Sequence, residues 1–297
     1  MNSEKWRKQN TESLRGKTIA VTGSTGGLGG ELCAYLAELG ATLILLDRNA
    51  ERSAAHARRL RESFGADVTC VRLDLEDLFS AEAAVEILLE RQIDVFIHNA
   101  GAYSIPRHAC ACGYDNVFTI NFAAPYYMIR RLMPMLRARR GRVVAVGSIA
   151  HNYSTIDRQD VDFSTRKAAS KVYGNAKRYL MFALHALFRD ETEASLAVTH
   201  PGITFTNITA HYPKLIFALI KHPMKVIFMR PRKAALSILA GVFSPTPYGT
   251  WIGPRIVDIW GLPKQRKLHT CRTEERESIA RIAEAVYARC ADTITRS

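Results

Sequence analysis

Nowhere in the 297-residue sequence do about 18 uncharged apolar residues stand in a row, so no segment reads as a membrane-spanning helix. The first seventeen residues, "MNSEKWRKQNTESLRGK", are polar and lack the apolar block of a secretory signal. A cytoplasmic protein is the expectation. The six cysteines (Cys33, Cys70, Cys110, Cys112, Cys271 and Cys290) are scattered, which does not make a disulfide framework. Cys110-Ala-Cys112 is a single short pair without partner ligands, and the nine histidines form no HExxH spacing. No metal is expected. Acidic residues are also scarce: 28 against 41 Lys and Arg, a net charge of +13. Such a field favours an anionic partner: a phosphorylated cofactor, an acidic lipid surface, or nucleic acid bound without specificity. The basic clusters "HARRLRESF", "RRLMPMLRARRGR" and "KHPMKVIFMRPRK" are interleaved with apolar residues, and no recognition motif accompanies them. No specific nucleic-acid partner is expected.

What is present is alternation. Strand-like apolar runs at 17–23, 41–47, 66–74, 93–101, 141–148 and 195–202 are separated by helix-like segments at 27–40, 49–65, 79–91 and 113–138 and around Tyr173. The runs are almost continuously apolar, as in strands covered on both faces. Strands alternating with helices predict an α/β fold, a doubly wound and mostly parallel sheet in a single domain spanning 1–297. "WIGPR", 251–255, adds a last edge strand, seven in all, before a C-terminal helix at 273–289. Residues 1–16 read as an N-terminal arm, about 203–235 as a variable lid, and 256–297 as a C-terminal extension. Right-handed crossovers place the strands' C-terminal ends along one edge, where a ligand crevice forms.

Between the first strand and first helix lies "TGSTGGLG": Thr22, Gly23, Ser24, Thr25, Gly26, Gly27, Leu28 and Gly29. Glycines permit a sharp turn and close approach of a ligand. The helix that begins there offers free N–H groups and a positive dipole end to a pyrophosphate. Asp47 lies 24 residues after Gly23, at the end of the second strand, where a carboxylate can accept hydrogen bonds from a ribose.

These residues resemble a classical short-chain dehydrogenase/reductase with a Rossmann fold. Thr22-Gly23, Gly27 and Gly29 match its TGxxxGxG pattern. Asp74, with Leu75 beside it, matches the residue that the resemblance places at the adenine edge. Asn99-Ala100-Gly101 matches the NAG motif, and Asn121 the helix Asn that holds a water in the proton-relay path. Ser148 follows the fifth strand, Tyr173-x-x-x-Lys177 matches YxxxK, and Pro201-Gly202 with Thr206 resembles the PGxxxT segment near the nicotinamide. The 25-residue separation of Ser148 from Tyr173, and "GSIAH" at 147–151, are similar to the retinol-dehydrogenase-like and steroid-active branch.

The resemblance implies hydride transfer between a nicotinamide cofactor and an alcohol or ketone. Tyr173 would be the general acid or base, its phenol made more acidic by Lys177 one helical turn on. Ser148 would donate to the substrate oxygen, and Tyr173 and Lys177 would also contact the cofactor. His98 reads as a crevice-lining residue, His151 and Tyr153 as candidates for the substrate entrance, and His200 as structural. The cofactor reading is divided. Asp47 favours NAD, whereas Arg48 could pair with the 2′-phosphate of NADP; the balance leans to NAD. The 207–233 stretch, with "LIFALI" and "VIFM" among Lys and Arg, suits a lid over a lipophilic, retinoid-, steroid- or lipid-like substrate, peripheral contact with an anionic membrane, or ordinary core packing. The helix carrying Tyr173 implies, by the same resemblance, a homodimer or homotetramer, although Tyr179, Phe182 and Phe188 suit intrachain packing equally. A non-catalytic dinucleotide-binding regulator or scaffold on the same fold is the alternative function.

Overall fold

The computed structural model describes residues 2–204, 229–268 and 271–296. Its strands are β1 (Thr18–Thr22), β2 (Thr42–Asp47), β3 (Val68–Arg72), β4 (Val95–His98), β5 (Arg142–Val146), β6 (Ser195–Thr199), β7 (Thr250–Ile256) and β8 (Trp260–Lys267). They form one sheet in the order β3-β2-β1-β4-β5-β6-β7-β8. The first seven run parallel, with Val21 opposite Leu45 on one side and Ile97 on the other. The sheet therefore has eight strands, not seven. The eighth is an antiparallel hairpin partner of β7, with Ile252 opposite Gln265. Most of β8 is solvated, so "WGLPKQRK" lacks the apolar run that marked the inner strands.

Helices α1 (Ser3–Asn10), α2 (Gly27–Glu38), α3 (Ala50–Phe64) and α8 (Pro231–Phe243) cover one face. Leu32, Leu36, Leu60, Leu236 and Leu239 pack there, together with Trp6 from the expected N-terminal arm. The other face carries α4 (Leu78–Arg91), α6 (Ala124–Ala138), α7 (Ala169–Leu187) and α9 (Thr273–Thr295). The expected helix at 113–138 is interrupted. A short α5 (Asn116–Phe118), capped by Asp115, runs into a π turn over Thr119–Ala123 before α6 begins.

The last helix covers α6 and α7 within the chain. Arg178 of α7 grips Glu275 through two bonds of 2.5 and 2.7 Å, Tyr126 donates to Glu284 at 2.9 Å, and Tyr127 stacks on Tyr287. Tyr179 and Phe182, readable from the sequence as interface residues, are buried by their own chain, and Phe188 is half-buried. β1 lies between β2 and β4, so successive crossovers leave it in opposite directions. The crevice at the C-terminal ends of β1 and β4 follows from that reversal. Among the described residues, no helix is long and apolar enough to cross a membrane.

Candidate active site

A cavity of about 690 Å³ opens at this edge. One wall is the glycine turn. Gly23 has φ +68°, and a Cβ on it would stand 3.0 Å from Ala100 Cα. At Gly29 a Cβ would collide with the carbonyl oxygen of Gly23 and lie 2.8 Å from Asn99 Nδ2. Only glycine fits these two positions. The "NAG" residues are tied to the turn: Asn99 Nδ2 donates to the Thr22 and Gly23 carbonyls at 3.0 and 3.1 Å. Thr22 Oγ1 accepts the N–H groups of Asn99 and Ala100 at 3.1 and 3.0 Å, leaving its hydrogen to be donated to His98 Nδ1 at 3.3 Å. Burial, with Lys177 nearby, holds His98 well below the usual histidine range and therefore neutral.

The opposite wall holds the expected catalytic group. Ser148 follows β5, and its Oγ accepts the Ala150 N–H at 3.2 Å. Tyr173 and Ser148 line this wall together, and Ser148 acts to lower the pKa of the Tyr173 phenol. Lys177, nearly fully buried, donates to the Val146 carbonyl at 3.0 Å, and its Nζ lies 5.7 Å from the centre of the Tyr173 ring. Asn121 sits in the π turn, and its Nδ2 donates to the carbonyls of Ala102 and Val117, both at 2.8 Å. That leaves Asn121 Oδ1 buried without a protein partner. A Cβ on Gly101 would be 2.8 Å from that oxygen and 3.5 Å from Lys177 Nζ, so both groups flank one point behind the crevice.

The electrostatics differ from the sequence expectation. Burial pushes the Tyr173 phenol up to about 12, opposed by the Ser148 hydrogen bond, and pushes Lys177 down to about 7. A lysine that has lost much of its charge cannot draw the phenol below its ordinary value. Spacing reveals the pair but not the desolvation each member undergoes.

Gly23, Gly27, Leu28, Gly29, Asn99, Ala100, Gly101, Ser148, Tyr173, Lys177, Pro201 and Gly202 all line the cavity. Thr22 and Ser24 are buried behind its wall, as is Asn121, while Thr25 joins Ser24 in holding the turn. Asp74 and Leu75 do not line the cavity; Asp74 Oδ1 instead accepts the Glu76 N–H at 3.1 Å. Asp47 is turned inward, bonded to Ser24, Thr25 and Ser53, and Arg48 stands exposed beside it. Thr206 and most of the expected lid lie outside the described residues.

His151, expected near the entrance, is buried against Phe182 and Trp251. Its Nδ1 donates to the Ser148 carbonyl at 2.6 Å, so it anchors the serine instead. Tyr153, 58% exposed, does line the mouth. His200 is stacked on Trp251, with ring centres 5.0 Å apart, and burial pushes it down to about 3. Sequence reasoning missed Tyr103, whose ring meets Tyr173 edge-on at 5.4 Å. Its one signal was an aromatic residue just after the "NAG" strand end. Among the described residues, no cluster of His, Cys, Asp or Glu could hold a metal.

The short chain dehydrogenase family model matches residues 17–212. Human retinol dehydrogenase 13 is 30% identical over 206 residues, which are 67% of this chain and 62% of that protein; the match thus spans under two thirds of that relative's length. An uncharacterised protein from Mycobacterium paratuberculosis superposes with a TM-score of 0.75 at 23% identity over 96% of both chains, a likeness of fold. The Pseudomonas aeruginosa RhlG/NADP active-site complex superposes with a TM-score of 0.59 at 26% identity, over 78% of this chain and 93% of that one. With that family's sequence pattern running through most of the chain and its motif residues gathered at one sheet edge, this protein belongs to the short-chain dehydrogenases.

Proposed function

We propose that this protein is an NAD(P)-dependent oxidoreductase acting on a lipophilic alcohol or ketone, with Tyr173 as the proton-transfer residue. The observation that carries this reading is the placement of the Tyr173 hydroxyl beside Ser148, in the same cavity as the glycine turn. The residues suit a dinucleotide: glycines at Gly23 and Gly29 that tolerate no Cβ, a helix N-terminus facing the crevice, and Asn99 fastening the glycine turn to the end of β4. Gly23, Gly27, Gly29, Asn99 and Lys177 would hold it. When bound, a nicotinamide supplies or accepts the hydride.

The chain's own residues manage the oxygen. Ser148 orients the substrate carbonyl and donates to the oxygen as negative charge develops. Tyr173, protonated at neutral pH, transfers its proton to that oxygen in reduction. Oxidation needs the phenolate, which Lys177 favours only while it carries its own proton. Reduction is thus the direction these protonation states favour near neutrality.

An apolar substrate is inferred from Tyr103, Ile149, Tyr153 and Ile203, which line the cavity beside the proton-transfer group. The name of the retinol dehydrogenase relative agrees with that class, and the NADP of the RhlG complex with the cofactor class. The test is turnover of a panel of lipophilic ketones and alcohols with either nicotinamide. Tyr173→Phe should lower kcat at least a thousandfold with cofactor affinity retained; equal turnover by the variant would end this reading.

A further inference from the structure

We propose that Cys112 and Cys290 are a modification site: a thiol pair that a peroxide converts to a disulfide, bracing α9 against the turn after β4. Neither cysteine lines the crevice, so the proposal does not depend on the function read there.

Two segments far apart in sequence meet at this pair. The first is a closed turn: the Cys110 N–H donates to the Tyr114 carbonyl at 2.8 Å, and the Gly113 N–H to the Cys110 carbonyl at 2.7 Å. Cys112 is buried within it, between exposed Ala111 and Gly113. Its Sγ lies 3.8 Å from Thr119 Oγ1 in the π turn. The second segment is the last part of α9, where Ile279, Ala283, Val286 and Cys290 belong to the buried stripe. Cys290 is fully buried, and both cysteines are free.

The neighbours of the pair fix the contact. Arg289 lies over the Tyr114 ring, 4.8 Å from its centre. Gly113 has φ +76°, and a Cβ there would collide with Arg289 Nη2. The residues that follow Cys112 are thus packed on the residue that precedes Cys290, and both cysteines belong to one apolar cluster. The strongest influence on either thiol is the other. Cys290 draws Cys112 down to about 6 against the effect of burial, while Cys112 pushes Cys290 up. One proton shared between the two sulfurs leaves Cys112 as the thiolate, the form that attacks. Cys110 is pushed up to about 11, chiefly by burial, and stays a thiol at neutral pH.

In the first step the Cys112 sulfur attacks one oxygen of hydrogen peroxide. An S–O bond forms, the O–O bond breaks, and hydroxide leaves. In the second step the Cys290 sulfur attacks the Cys112 sulfur. The S–S bond forms, the S–O bond breaks, and a second hydroxide leaves. The protons given up by the two thiols convert both hydroxides to water. Two thiols are thereby oxidised by two electrons in all, and one peroxide is reduced. Peroxide is a small oxidant, and only the turn carrying Cys112 covers the pair on one side. On the other, α9 ends a little over one turn beyond Cys290, and helix ends fray. The product joins the turn after β4 to the helix that covers α7, which carries Tyr173. A covalent link between segments so distant in sequence restricts the unfolded chain far more than the folded one.

The test uses the full chain, reduced with dithiothreitol, freed of reductant and exposed to a few equivalents of hydrogen peroxide. Free thiols are blocked with N-ethylmaleimide, and the digest is mapped by mass spectrometry without reduction. The expected product is a peptide pair linked through Cys112 and Cys290, lighter by two hydrogens, that dithiothreitol splits. The oxidised protein should melt about 5 °C or more above the reduced one. Cys112→Ala and Cys290→Ala should each abolish the linked pair and the rise in melting temperature, whereas Cys110→Ala should retain both. Mapping of the wild type needs no variant to fold. There, Cys290 linked to Cys110 instead, or Cys112 carried to a sulfinic acid with Cys290 still free, overturns the proposal. So does a pair left unmodified after the exposed Cys70 has reacted, or a linked protein that melts no higher than the reduced one.

Discussion

The Lys177 ammonium group donates to the carbonyl oxygen of Val146, two residues before Ser148, at 3.0 Å, and is almost wholly withdrawn from solvent. That contact ties the helix of the proposed proton-transfer residue, Tyr173, to the strand that precedes Ser148. It also takes a cation out of water, which is why its pKa falls to about 7. The unfolded chain, with a lysine near 10.4, binds more protons than the folded one between about pH 7 and 10.4, so folding stability rises with pH across that window. The penalty is complete below pH 7 and gone above the unfolded value. Lys177→Met should therefore be inactive yet more stable at pH 6–7, by an amount on the order of 1–4 kcal/mol after the lost hydrogen bond is counted. The gain should shrink as pH approaches 10. Urea titrations at four pH values check it; a gain that grows with pH contradicts the assignment.

Under the proposed mechanism the same titration should set the pH dependence of turnover. Tyr173, at about 12, stays protonated through the neutral range, so the limb of the ketone-reduction profile near pH 7 should belong to Lys177. The expected profile of kcat/KM falls as pH rises through 7. In Lys177→Arg, whose guanidinium keeps its proton, the limb should move out of the neutral range even if the rate is low. A limb that stays at pH 7 in the variant assigns it to another group.

His151 places Ser148 without lining the crevice. Its Nδ1–H donates to the Ser148 carbonyl at 2.6 Å, while its own carbonyl accepts from Arg178 Nη1 at 2.9 Å. Arg178 in turn holds Glu275 of α9. Loss of one partner from a buried ion pair leaves a charge unsatisfied, so Glu275→Ala should destabilise the fold by about 2–4 kcal/mol. His151→Phe should lower kcat roughly tenfold, about 1.4 kcal/mol of transition-state stabilisation, with little change in KM. Steady-state kinetics and thermal melts distinguish the two. A large KM change in His151→Phe points to direct substrate contact instead.

The inner strands could be read from the sequence because burial on both faces leaves a near-continuous apolar run, as in "ATLILLD", and because the chemistry-bearing residues follow strand ends. Ser148 was legible for that reason, and Tyr173 and Lys177 through their spacing of one helical turn. The partners of Asp47 were not, since Ser53 reaches it only after the chain has entered α3, and spacing does not reveal which way a carboxylate turns. β8 escaped notice because a solvated edge strand containing Pro263 carries no apolar period. The π turn at Asn121 is likewise silent in the pattern of apolar residues, although it determines where that side chain points. The pKa values depend on desolvation, a property of the assembled walls.

Gly27 separates the needs of the fold from those of a ligand. A Cβ on Gly29 would strike the Gly23 carbonyl, so Gly29→Ala must distort the turn and should lower both melting temperature and nucleotide binding. A Cβ on Gly27 meets only Pro231 Cγ at 3.9 Å, an ordinary contact. Gly27 opens α2 and lines the cavity, so nothing among the described residues demands glycine there. If a pyrophosphate packs against this backbone, Gly27→Ala should melt at or slightly above the wild-type temperature, because alanine suits a helix better by about 1 kcal/mol. Its affinity for NAD⁺ and NADP⁺ should nevertheless fall tenfold or more. Calorimetric binding beside a thermal melt reads both effects in one preparation. A variant that keeps full nucleotide affinity would show that no ligand approaches the helix N-terminus, and the cradle would have to be sought elsewhere along the sheet edge.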